Sequence, residues 1–174
     1  DFLDNYGNPH YDNFLGYIPE QKHVKEKISK NIKDINQIEP ISEKNMLYLN
    51  KMVELAKEHD IPMMFLIAPF CKSADEKQLY YNALEQYAEE KQIALVNGNK
   101  HYDEIGLVAK EDFGNGNHLL YSGAKKFTKY VGTYLDANYD LPDKRNHPDY
   151  GIWQRNVEYM KDFYNTAESF EQDD

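Results

Sequence analysis

Histidine changes charge nearer neutral pH than any other side chain, so the setting of each histidine decides where proton transfer can be sought. His118 has the most telling neighbours. It lies in the run Asp112-Phe113-Gly114-Asn115-Gly116-Asn117-His118-Leu119, whose glycines and asparagines favour turns, and rigid scaffolds present catalytic histidines on such loops. His118 is therefore the candidate catalytic residue of this run. A turn histidine bonded to its own backbone is the plain alternative. Cys71 follows an apolar run where a strand would end, the edge at which open α/β sheets bind ligands, so a Cys71–His118 pair is conceivable. Burial as a small apolar side chain is the commoner fate of a lone cysteine. His10 with Asp12, and His101 with Asp103, each bring two metal-ligating groups together, but two ligands do not make a site. No metal and no cofactor is expected.

These residues need elements to position them. Val24, Ile28, Ile32 and Ile35 share one helical face over 23–38. Pro40 interrupts, Ser42 is the expected N-cap, and Met46, Leu49, Met52, Val53 and Ala56 form one side of a helix running to about His59. The run 63–68 is wholly apolar and bounded by Pro62 and Pro69, which predicts a strand buried on both faces, the kind found in parallel sheets. Tyr80, Ala83, Leu84, Tyr87 and Ala88 mark a core-facing helix, and 93–96 is the next apolar strand. That is one strand–helix–strand unit, with its two strands expected to be adjacent and parallel. Residues 98–110 read as loop. Ser122 is expected to cap a helix that turns Ala124, Phe127, Val131, Tyr134 and Leu135 to the core. From Asn138 onward comes a turn-rich strap, then a last helix over 150–167 and a fraying acidic end. The opening 1–20 reads as irregular. The fold class is thus α/β, a parallel sheet flanked by helices, and two strands are too few to bury the helices on offer.

The His118 run, together with Gly123-Ala124-Lys125-Lys126, resembles the last block of SGNH/GDSL-type hydrolases, most closely bacterial members whose motif reads approximately Asp-Phe-Tyr-Asp-x-x-His-Leu-Asn-x-x-Gly-Ala-x-Lys. Gly16-Tyr17, Ile61-Pro62 and the strap Asn138-Tyr139-Asp140-Leu141-Pro142-Asp143 add partial matches in the family's order. The resemblance implies a three-layer SGNH (flavodoxin-like) fold, incomplete in this chain: its C-terminal portion over 1–137, with a strap and helix over 138–174 packed on the same domain. It implies that His118 takes the proton of a serine nucleophile, and that an acyl-enzyme forms. The family's acid stands three residues before the histidine, where this chain has Asn115. Asp112 is the nearest carboxylate, and Leu120 replaces the family's usual Asn. No Gly-Asp-Ser-like block precedes residue 63, and Ser29, Ser42, Ser73, Ser122 and Ser169 read as helix surface, caps or loop.

Composition narrows the partners. Thirty acidic against twenty basic residues give a net charge of −10 over 174 residues, which repels phosphate backbones and anionic lipid. With 29% charged residues no membrane span is expected. One cysteine excludes an intrachain disulfide. No leader peptide opens the chain, so a signal or anchor is expected to be absent or removed and residue 1 is not taken as a native start. The resemblance implies an extracytoplasmic or envelope-associated esterase or O-acyltransferase. Its substrate would be a small acyl ester or acylated glycan, and an upstream half or partner chain would complete the sheet. The alternative is an inactive domain of the same fold that binds glycan or a partner protein, with the exposed aromatics Tyr6, Tyr11, Phe14 and Tyr17 as candidates for stacking on sugar.

Overall fold

The computed structural model describes residues 32–171, with side chains to 162, and these residues form two compact units divided in sequence between Ala137 and Asn138. The irregular opening, the aromatic cluster Tyr6–Tyr17, His10, Asp12, Ser29 and most of the helix expected over 23–38 lie outside the described residues.

In the first unit that helix does not reach residue 38. Ile32–Asp34 is a single 3-10 turn with Ile32 buried, and residues 35–42 have no repeating structure. Pro40 biases the residue before it toward extended backbone. The freed groups bond elsewhere: Asn82 Nδ2 donates to the Ile35 and Gln37 carbonyls at 2.7 and 2.8 Å, and Glu39 N donates to Leu79 O at 3.0 Å.

Helix α1, Glu43–Glu58, starts where predicted, with Ser42 Oγ accepting from Asn45 N at 3.3 Å. Val53 and Ala56 are buried and Met46 and Leu49 half-buried, but Met52, expected beside them, is exposed with Leu47, Tyr48 and Leu55. Strand β1, Met64–Ile67, pairs in parallel with β2, Ala94–Asn97, in the register Met64↔Ala94 to Ile67↔Asn97, and α2, Ala74–Lys91, joins them. The adjacent parallel pair is as predicted. Burial of β1 on both faces is not: successive side chains point to opposite faces, so while Phe65 packs on Tyr87 of α2 with ring centroids 6.4 Å apart, Leu66 stays 47% exposed. Tyr80, expected in the core, faces water, and its helix instead buries Gln78 and Asn82, the amides that bond neighbouring backbone and side chains.

The stretch read as loop is mostly helical turns. Gly98–His101 is a 3-10 turn, Tyr102–Ile105 is α3, ended by Gly106 at φ 75°, and Ala109–Asp112 is α4. Tyr102, Ile105 and Leu107 bring these turns into the core beside Ile67, Phe70, Phe113 and Phe127. The Gly/Asn-rich run is a short antiparallel hairpin, β3 Phe113–Asn115 and β4 His118–Leu119. Helix α5, Tyr121–Asn138, begins before Ser122, so Ser122 is not its cap; its hydroxyl donates to Glu111 O at 2.7 Å.

The second unit follows the predicted strap and last helix. Arg145 pairs with Asp143 through Nε and Nη2, Asn146 adopts φ 66°, Pro148–Tyr150 makes a 3-10 turn, and α6 spans Gly151–Glu171. The described molecule is mixed α/β, mostly helical around a small parallel two-stranded sheet. Among the described residues no helix is long and apolar enough to cross a membrane.

Candidate functional site

The site is built at the carboxyl ends of β1 and β2. A Cβ on Gly98 would fall 2.8 Å from the Pro69 ring, so only glycine lets the two strand exits pass this closely. Asn99 Oδ1 then accepts from Phe70 N at 3.0 Å, and the Tyr102 hydroxyl bridges Phe70 O and Asn99 Oδ1. Burial, and secondarily Cys71, push the Tyr102 phenol above its ordinary pKa, so it stays a donor. Asn97 Nδ2 donates to Gln78 Oε1 and Glu85 Oε1, and Glu85 holds Lys100 at 2.6 Å. These bonds make the two exits one rigid floor.

The hairpin is docked on that floor. Gly116 O accepts from both Cys71 N and Lys72 N, at 2.9 and 2.7 Å, and Leu120 N donates to Asp112 O at 2.8 Å. The exits of β1 and β2 and the turn before His118 therefore converge at one sheet edge.

His118 is exposed, and its Nδ1 lies 2.8 Å from Asn115 Oδ1. The same oxygen accepts from Asn117 N at 2.9 Å. A backbone N–H can only donate, which identifies that atom as the amide oxygen, so His118 must carry its proton on Nδ1 when neutral. Nε2 is left as an acceptor. This is the tautomer a general base needs.

Asp112 does not join His118. Its fully buried carboxylate accepts from Val108 N and from Lys126 Nζ through Oδ2, both at 2.7 Å, while Oδ1 has no hydrogen-bond partner. Gly123 closes the arrangement, since a Cβ there would fall 2.4 Å from Asp112 O. Of the three residues singled out by sequence, the structure brings Asn115 and His118 together and sets Asp112 apart as the clamp between hairpin and α5. Cys71 is buried and engaged through its backbone at the hairpin turn. His101 meets Glu104 at 2.6 Å rather than Asp103, and Lys33 reaches the same carboxylate at 3.3 Å. These contacts hold the Glu104 carboxyl below its usual range. Among the described residues no three metal-ligating side chains cluster.

Comparison with family models, with curated proteins and with solved structures finds no match for this chain.

Sequence reading missed Lys126 as the partner of Asp112 and the amides Gln78, Asn82, Asn97 and Asn99 as the floor. For Lys126 the signal was present in the Gly-x-x-Lys spacing, which places Gly123 and Lys126 one turn apart on one helix face. No single local pattern marks the amides, because their partners range from 2 to 47 residues away and most are 12 or more apart.

Proposed function

We propose that this chain is the histidine-bearing portion of an SGNH-type serine esterase or O-acyltransferase with a three-layer fold, acting outside the cytoplasm on a small acyl ester of a cell-envelope glycan. The observation that carries this reading is the Asn115–His118 pair: an exposed imidazole with its Nδ1 proton fixed and Nε2 open, on a hairpin bound to the carboxyl edge of a parallel sheet. In the reaction, Nε2 takes the proton of a serine hydroxyl as the oxygen attacks the ester carbonyl. It then returns that proton to the departing alcohol, leaving an acyl-enzyme for water or a second hydroxyl to open. None of the serines whose side chains are described bonds His118: Ser42 caps α1, Ser73 precedes α2, and Ser122 is bonded to Glu111 O. We place it in polypeptide outside this chain, where further strands would also cover Leu66.

A second reading, a non-catalytic domain of the same fold, is favoured by Asn115 itself, since an amide orients the ring but brings no charge to stabilise an imidazolium. One experiment separates the two. The chain alone is expected to hydrolyse 4-nitrophenyl acetate no faster than free imidazole. The protein extended by the sequence encoded upstream is expected to turn it over, with a loss of about 10³-fold or more in His118→Ala. Full activity of the extended His118→Ala protein overturns the esterase reading.

A further inference from the structure

We propose that the second unit carries a binding groove for an acidic sugar, one whose ring bears a carboxylate. This goes beyond the esterase reading and does not rest on it.

The strap and the first half of α6 line an open groove of about 770 Å³, within the usual size of small-ligand sites. Its most unusual feature is aromatic. Trp153 is 57% exposed and Tyr150, three residues earlier, 39%. Both rings line the groove, as does Val157 one turn beyond Trp153. The exposed indole is a platform on which the apolar face of a sugar ring stacks, and the Tyr150 ring, which packs on His147 with centroids 5.5 Å apart, offers its remaining edge beside it.

The polar lining fits the rest of such a ligand. Gln154 Nε2 donates to Asn146 Oδ1 at 3.0 Å, which leaves the other half of each amide, one donor and one acceptor, for hydroxyls that do both. Lys144 lies at one side, its Nζ 5.8 Å from the Tyr150 ring centroid, and Lys161 lines the groove eight residues beyond Trp153, about 12 Å along the helix. Neither lysine has an ion-pair partner among the described residues. Arg145 also lines the groove, but its guanidinium is already paired with Asp143. Glu158 is the one carboxylate in the lining. Two ammonium groups without an ion-pair partner among the described residues, one of them over the Tyr150 ring, against one carboxylate on a protein of net charge −10 make a local cationic site whose complement is a carboxylate.

Trp153 is the chain's single tryptophan, so its fluorescence reports this groove and nothing else. The full chain is titrated with tetragalacturonate, with a neutral galactose tetramer and with tetraglutamate. The expected result is a saturable change in emission with tetragalacturonate, weakened by salt. Lys144→Gln and Lys161→Gln should each weaken binding about tenfold and Tyr150→Ala should weaken it further, all with unchanged circular dichroism. Equal binding of the neutral tetramer removes the role of the lysines and overturns the proposal. An equal response to tetraglutamate does so as well, marking a site for acidic peptide instead. No response to tetragalacturonate up to about 10 mM overturns it, and so does an indole already shielded from iodide quenching, which would show the groove to be covered.

Discussion

Asn115 places two donors on one oxygen, and that decides the state of His118. Among the described residues nothing else bonds the imidazole, so removing the amide should release the tautomer. Asn115→Leu is expected to shift neutral His118 from a form protonated at Nδ1 to a mixture rich in the Nε2–H form, read from imidazole ¹⁵N shifts. An unchanged spectrum would mean that the pair does not form in solution. A titrating contact lies in the strap. The Arg145 guanidinium and its backbone N–H hold the Asp143 carboxyl down at about 2 from an ordinary 3.8. The folded value is the lower one, so this contact stabilises above pH 3.8 and is lost as pH falls toward 2. With both side chains exposed the effect on global stability is small. In Arg145→Gln the Asp143 carboxyl carbon should titrate above about 2 but short of 3.8, since the backbone N–H of residue 145 still donates to it, which NMR measures directly.

At the scale of elements, the hairpin that presents His118 is held by α5 through two contacts of opposite kind. Gly123→Ala forces a methyl group against Asp112 O, where backbone cannot yield cheaply, and should cost about 1–3 kcal/mol in urea unfolding. Lys126→Met leaves the buried Asp112 carboxylate without its cation. The loss should be about 2 kcal/mol, below that of a fully enclosed pair because Lys126 is one-third exposed. Adding Asp112→Asn to Lys126→Met should recover part of it, since the buried charge is then gone; a double variant worse than the sum of the singles would show that Asp112 acts through something else. This clamp also marks where sequence reasoning ended. The strands β1 and β2 were legible because apolar runs of four to six residues bounded by proline or by a helix have few other uses, and α1 because Ser42 follows Pro40. The 35–38 segment was misread because its apolar spacing continues while its backbone carbonyls bond to Asn82, a tertiary choice that outweighs local periodicity. Turns as short as Tyr102–Ile105 carry too few residues to show a period, and the hairpin hid in a composition that turns and loops share.

At the scale of the molecule, the first unit holds more apolar surface than it covers. Helix α1 is apolar on opposite sides: Val53 and Ala56 are buried, while Leu47, Tyr48, Met52 and Leu55 are exposed. An apolar arc wider than the side a helix buries belongs against a larger core, and exposed Leu66 on β1 points the same way. The proposed fold supplies that core as further strands and helices outside this chain. The outward face should therefore do little for this chain in isolation, and the two sides of α1 should respond oppositely to substitution. Leu47→Glu with Leu55→Lys is expected to change unfolding free energy by no more than about 0.5 kcal/mol and to reduce self-association in sedimentation, because the patch is removed from water contact only by another molecule. Val53→Ala, which removes two methyl groups from the buried side, should cost about 1–2 kcal/mol. If the outward pair destabilises the isolated chain by as much as Val53→Ala, that face is already packed within it. The surface then offers nothing to further strands, and the proposal that polypeptide outside this chain completes the sheet loses its structural support.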